Sequence, residues 1–401
     1  MSTPAELVQG LVSPGFEPVA ETFRENLTKR GGVGASLCVY RRGEKVVDIW
    51  GGKADKKTGA PWEKDSVCVM FSATKGLAAI ALMMLADRGQ LDYDAPVAKY
   101  WPEFGAAGKE AITVRTLLNH RAGLHGQDTP IPYADIVARR DVPVIAAQEP
   151  LWPPDEGQGY HGVTFGLYAR ELFFRASGQR MGTFFADEVA KPLGIDAYIG
   201  APLSIEPRFA TLYPQSTYTK LTKVVPRLLT GGTHEGKVYR AAARKRTDTS
   251  RAFKTPSDMG ITSVGRYGTP EIWTEELPWG GGVANGRALA LAYAALLGVG
   301  PEGTPALVRP ETLAPVFERQ SWAEPDRVVL KPMGFAQGFV KEETRMFSPN
   351  TEAFGHPGAG GSLGWADPVE GLAIGYVMNQ MDFRIRSARS LALTKAIYGC
   401  L

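Results

Sequence analysis

The chain has 401 residues, 44% of them apolar and 22% charged, with a formal net charge of +3. That composition excludes a disordered polypeptide, and so small a charge supplies no global field to recruit nucleic acid or an anionic membrane. The length exceeds what one core usually organises, so two lobes and a small-molecule partner are the expectation; the sequence leaves the oligomeric state open.

Residues 1–30 contain acids and prolines but no apolar run long enough for a signal peptide or a membrane span, which points to the cytoplasm. Residues 34–50 alternate apolar and polar around Arg41-Arg42-Gly43-Glu44, the pattern of a two-stranded hairpin. From Gly76 to Ala86 the sequence is uncharged, too long for a typical strand, and followed by Gly89. It reads as a helix that is apolar all round and therefore central.

Residues 90–200 hold several helical stretches broken by Pro and Gly. Residues 201–278 are polar, basic and poor in periodicity, as a long lid-like surface loop would be. Their Arg/Lys run from Arg240 to Lys254 reads as a solvated face rather than a phosphate site. Beyond Gly282 come a helix over 283–298, two strand-like runs at 333–340 and 371–381, and a closing helix over 387–398. Sheet at both ends predicts an α/β lobe from residues 1–85 and 282–401, with a mainly helical lobe from 86–281 inserted between them. Cys38, Cys68 and Cys400 are odd in number and far apart, so reduced thiols are expected.

Ser72 alone among the serines is followed three residues later by lysine, Lys75. The apolar run Val67 to Phe71 precedes it and the apolar helix begins at it, so Ser72 sits where unpaired helical N–H groups point outward, an arrangement suited to an oxyanion. Positions three apart share a helix face, which puts the Lys75 ammonium within reach of the Ser72 hydroxyl. Lysine and tyrosine ionise near pH 10 and must fall by about 3 units, or about 4 kcal/mol, to act as bases at neutral pH. A helix dipole contributes only about 0.3–1 kcal/mol, so the site needs burial and a second titratable group. Tyr160, which opens a helical run after the loop from Trp152, is the candidate: Lys75 would stabilise its phenolate, which takes the serine proton.

Three blocks, SATK at Ser72, YHG at Tyr160 and HPGAGG from His356, resemble the serine hydrolases grouped with class C β-lactamases and family VIII carboxylesterases. The resemblance implies a β-lactamase/transpeptidase-like fold, of α/β (α+β) class, in which an antiparallel sheet is flanked by helices. It makes Ser72 the nucleophile, Lys75 its partner and Tyr160 the general base. The Ala359 N–H, on a strand edge facing the site, joins that of Ser72 as the oxyanion hole.

His356, Gly358, Trp279 and Trp152 are the expected substrate contacts. Gly358, Gly360 and Gly361 suit backbone that approaches a substrate closely. Phe165 and Trp365 are further candidates for an apolar acyl pocket, and Trp279→Ala is expected to alter chain-length preference more than stability.

Class C β-lactamases carry asparagine third in the tyrosine block and lysine first in the glycine block, where this sequence has Gly162 and His356. A mostly neutral histidine anchors a substrate carboxylate less well than lysine, which favours uncharged esters. The expected activity is therefore a serine carboxylesterase working through an acyl-enzyme, without cofactor or metal. The alternatives are a β-lactamase, a D-amino acid amidase or peptidase, an acyltransferase and, outside enzymes, a binding protein.

Two motif matches are decoys. Lys57-Thr58-Gly59 spells a β-lactamase strand motif but lies in a polar turn ahead of the nucleophile. Gly360-Gly361-Ser362-Leu363-Gly364 matches a nucleophile elbow, yet no histidine follows it and no helix is expected after it. Ser362 is expected to support the strand bearing the oxyanion hole. His120 and His125, the one close histidine pair, have the wrong spacing for a metal on one helix face.

Overall fold

The computed structural model describes residues 7–341 and 346–401. Its centre is a nine-stranded sheet formed by β1 (Val8–Val12), β2 (Gly34–Arg41), β3 (Glu44–Gly52), β4 (Ser321–Ala323), β5 (Met333–Ala336), β6 (Phe339–Val340), β7 (Phe354–Pro357), β8 (Leu363–Asp367) and β9 (Leu372–Met378). The spatial order is β1-β3-β2-β9-β8-β7-β6-β5-β4 and every pairing is antiparallel. Strands from both ends of the chain meet where β2 pairs with β9, Cys38 opposite Gly375. The sheet is thus antiparallel and flanked by helices, as expected.

Alternation along the strands sorts side chains to two faces. Leu37 and Val39 pack in one apolar cluster with Val19 and Phe23 of helix α1 (Glu17–Thr28) and Leu393 and Ile397 of the C-terminal helix Ala388–Tyr398. Cys38 and Tyr40 point the other way, into a cluster with Leu289 and Ala292 of the helix Gly286–Leu297. That helix lies close because β9 is bare at Gly375, where a Cβ would sit 2.1 Å from the Gly286 carbonyl and 2.4 Å from the Ala290 nitrogen. Each Leu, Ile or Phe so buried contributes about 1.5–3 kcal/mol.

Helix α2 (Thr74–Asp87) is buried at every residue from Thr74 to Leu85, in keeping with a sequence that offers no polar face. Among the described residues no helix is long and apolar enough to cross a membrane. Cys38 and Cys68 are buried free thiols, and burial pushes both of their pKa values up.

The lid-like loop expected over residues 201–278 is a correction. The segment folds into short helices, among them Val225–Thr230, His234–Ala243 and Asp248–Ala252. Threonines start the last two: the Thr233 and Thr247 side chains accept from the Gly236 and Ser250 N–H groups. Helices this short carry too few turns for apolar periodicity to show. Their basic residues are partly engaged, Arg240 with the Leu228 and Leu229 carbonyls and Arg251 with Asp128.

Candidate active site

The strand Cys68–Val69 pairs with Val283–Ala284, and the Met70 N–H continues that link to the Gly282 carbonyl at 2.9 Å. The chain then reverses at Phe71, whose φ of 47° lies in the left-handed region that a non-glycine residue adopts only under strain. A 3-10 turn over Phe71–Ala73 runs directly into α2. Ser72 therefore sits at the mouth of a buried helix, partly exposed, with Lys75 one turn inward and fully buried.

The Lys75 amine donates to Ser72 Oγ at 3.2 Å, the Gly162 carbonyl at 2.8 Å and the Trp279 carbonyl at 2.9 Å. Three acceptors around one nitrogen fix its position in either protonation state. Burial drives its pKa well below the ordinary lysine value, because the charged form is deprived of water.

Tyr160 arrives on the loop leading to the helix Thr164–Ser177. Its N–H donates to Asp326 Oδ1 at 3.2 Å, an oxygen that also accepts from the Val328 and Val329 N–H groups at 2.9 and 3.0 Å. The next N–H, that of His161, donates to His120 Nδ1 at 3.0 Å. The phenol ring lies parallel to Phe335 within 9°, and the Lys75 ammonium is 5.0 Å from the ring centre. Asp326, His120 and Phe335 come from segments far apart in sequence, and none carries a motif that identifies it.

The third block ends β7 and turns through Ala359–Gly361 into β8. Ala359 thus lies in a 3-10 turn just past the strand, not on the strand edge itself. Gly360 and Gly361 have φ of 85° and 128°, which side-chain-bearing residues rarely adopt. Gly358 is a correction: a Cβ there would fall 2.1 Å from Ser362 Oγ and 2.2 Å from the Met70 carbonyl. Its bare Cα lets the turn close on the segment carrying Ser72 instead of lining the cavities there. The Ser362 hydroxyl, buried, donates to the Met70 carbonyl, and a strand rather than a helix comes directly after Ser362.

His356 is buried with Nδ1 2.9 Å from the Pro357 carbonyl, a contact that makes Nδ1 the donor and leaves Nε2 as an acceptor. Burial, then the nearby Lys75, hold its pKa well below the usual histidine value, so it is neutral. Burial, then the neighbouring His161 and Lys75, lowers the pKa of His120 well below the usual value, and burial, then His125 and Lys75, does the same for His161. Among the described residues no three His, Cys, Asp or Glu side chains converge as metal ligands. His125 instead faces Asp248 Oδ1 at 3.2 Å.

Two adjoining cavities, of about 220 and 170 Å³, meet at Ser72, and Phe253, Ala359 and Met381 line both. Tyr160 and His356 line the larger, Trp279 the smaller. A wider cleft of about 720 Å³ lies elsewhere, around Arg180, Asp187 and Glu276, away from the serine and its partners.

Trp152 is a second correction: it lines neither cavity at Ser72, stacks on His125 at 4.5 Å, and fills the space beside Gly157 and Gly159. It braces the loop that delivers Tyr160. Phe165 and Trp365 are also core residues, the first against His120 and the second against Phe347. The Lys57-Thr58-Gly59 match is an exposed turn whose N–H groups are capped by Asp55.

A Beta-lactamase family profile matches residues 19–396. The chain is 32% identical over 378 residues to the esterase/beta-lactamase LipL of Mycobacterium tuberculosis, covering 93% of this chain and 83% of that protein. A crystal structure of a family VIII carboxylesterase superposes with a TM-score of 0.84 at 34% identity, covering 98% of this chain and 100% of the other. EstA from Arthrobacter nitroguajacolicus superposes at 0.83 with 32% identity, covering 97% of each chain.

Proposed function

The chain belongs to the β-lactamase family, and from that premise we propose that it is a serine carboxylesterase with Ser72 as nucleophile and Lys75 and Tyr160 as its activating pair. The observation that carries the proposal is the buried Lys75 amine 3.2 Å from Ser72 Oγ, at the junction of two substrate-sized cavities.

In the first step Ser72 Oγ bonds to the ester carbonyl carbon and its proton passes to the Lys75–Tyr160 pair. The Ser72 and Ala359 N–H groups take the oxyanion. The carbon–oxygen bond to the alcohol then breaks, with the proton delivered to the departing oxygen by Tyr160. Water repeats the sequence to release the acid and free serine. Attack by water makes this hydrolysis, and acyl transfer is the outcome when an alcohol attacks the acyl-enzyme instead.

Esters are favoured over β-lactams and peptides because a neutral His356 stands where a cation would hold a substrate carboxylate. The cytoplasm is the compartment that accompanies this reading. Intact-protein mass spectrometry with a slow p-nitrophenyl ester tests the function. Wild type is expected to gain one acyl mass and lose it with turnover, and Ser72→Ala to gain none; acylation of Ser72→Ala would refute the assignment.

A further inference from the structure

Gly162, whose carbonyl accepts from Lys75, borders the smaller cavity. A Cβ added there would lie 2.5 Å from Phe253 Cε1 and 3.0 Å from both Cδ1 and Cζ. The space that a side chain at 162 would fill is therefore taken by the Phe253 ring, from a segment ninety-one residues further along the chain. Phe253 is nonetheless 38% exposed, an apolar ring left facing solvent at the rim of both cavities. Its backbone is well anchored: Ala252 is buried, and the Thr249 hydroxyl donates to the Val328 carbonyl at 2.7 Å.

The two cavities differ in a way the chemistry can use. A general acid must reach the oxygen of the departing alcohol, so the alcohol belongs on the side of Tyr160. That is the cavity Tyr160 and His356 line, with Arg384 and Asp382 further out. The other cavity has Val163, Met259 and Tyr267 in its wall, and the Trp279 Nε1–H donates to the Tyr267 hydroxyl at 3.1 Å. It is as apolar as the first and smaller, which suits the hydrocarbon part of a compact acid.

We infer that Phe253, packed on the bare Cα of Gly162, is the partition between an alcohol cavity and a smaller acyl cavity, and so sets the selectivity for the size of the acid. The inference rests on the esterase reading and deepens it by naming the residue that sets selectivity. Removing the ring joins the two spaces; enlarging it narrows the acyl side further.

The test measures kcat/KM for p-nitrophenyl acetate, butanoate, octanoate and dodecanoate, and for butanoates of a graded alcohol series, on wild type, Phe253→Ala, Phe253→Trp and Met259→Trp. Wild type is expected to favour butanoate over dodecanoate. Phe253→Ala should lower that ratio by about tenfold or more, and Phe253→Trp should raise it. Met259→Trp, which fills only the acyl side, should shift the acid series more than the alcohol series.

Unchanged acid profiles in both Phe253 variants would overturn the partition, and a larger shift in the alcohol series for Met259→Trp would overturn the assignment of sides. Failure of the esterase reading looks different: wild type itself would neither turn over any ester nor acquire mass on Ser72. Phe253 is partly exposed, and circular dichroism with acylation of Ser72 in each variant confirms that a changed profile comes from a folded enzyme.

Discussion

The Ser362 hydroxyl donates to the Met70 carbonyl at 2.6 Å, tying the turn that carries Ala359 to the residue two positions before Ser72. The Gly358 N–H closes the same loop onto the Ser362 carbonyl at 2.7 Å. The two N–H groups proposed as the oxyanion hole are thus held in register by one buried serine. Ser362→Ala is expected to lower stability by about 1 kcal/mol and kcat by about tenfold with little change in KM, since the lost bond positions donors that matter most in the transition state. Steady-state kinetics with urea denaturation checks this. Mass spectrometry should still find the acyl group on Ser72 in the variant; acylation at Ser362 in wild type would revive the elbow reading.

Lys75 supplies a prediction with a defined sign. Its pKa in the folded protein lies well below the lysine reference because of burial. Between that depressed value and about 10.4 the unfolded chain holds a proton that the folded chain has released, so stability rises with pH across the window. Lys75→Met removes the group and the slope. The unfolding free energy of wild type minus that of Lys75→Met should therefore grow with pH by up to about 1.4 kcal/mol per unit within the window. Activity in the variant should fall at least about 100-fold. A difference that stays flat from pH 6 to 10 would mean that the amine titrates as in solvent.

The buried histidines act at the other end of the scale. His120, His161 and His356 are held neutral by burial, their pKa values well below 6.5. Unfolded histidines take up protons as pH falls below about 6.5, so stability present above that value is lost progressively below it, by up to about 1.4 kcal/mol per unit for each group. His161 isolates the effect, because neither of its ring nitrogens has a protein hydrogen-bond partner among the described residues. His161→Phe is expected to keep its stability near pH 7.5 and to lose less than wild type between pH 6.5 and 5. Parallel curves in urea titrations across that range would count against a buried neutral His161.

What the sequence disclosed follows from the range of the interactions involved. Ser72 and Lys75 are three residues apart on one helix, so their meeting is a local geometric consequence, and the structure places the amine in contact with the hydroxyl. The hairpin of β2 and β3 was readable for the same reason. Asp326, which holds the Tyr160 N–H from 166 residues away, and Phe253, which fills the space above Gly162, leave no periodic or motif signal because only folding makes them neighbours. Residues 201–278 misled through composition: a basic, polar stretch resembles a loop, while the cues to its short helices were single capping threonines, Thr233 and Thr247. Trp152 misled through proximity in sequence, since its indole stacks on His125 and packs beside Gly157 and Gly159 and lines neither cavity at Ser72.

Trp279 reverses one expectation, that its replacement by alanine alters selectivity more than stability. The residue lines the smaller cavity, but it is only 3% exposed, and its indole fits against Gly166, where a Cβ would lie 2.8 Å from Trp279 Cε3. Truncating so buried an indole costs about 3–5 kcal/mol, a large part of the stability of a typical domain. Trp279→Ala is therefore expected to unfold at markedly lower urea concentration whatever its selectivity. Trp279→Phe separates the two effects: it retains most of the apolar volume and loses only the donor to the Tyr267 hydroxyl. Its stability should fall by about 1–2 kcal/mol, while its preference among acid chain lengths changes because Tyr267, freed from its partner, borders the same cavity. Should Trp279→Ala prove as stable as wild type, the indole is not the packed wall that its contacts describe.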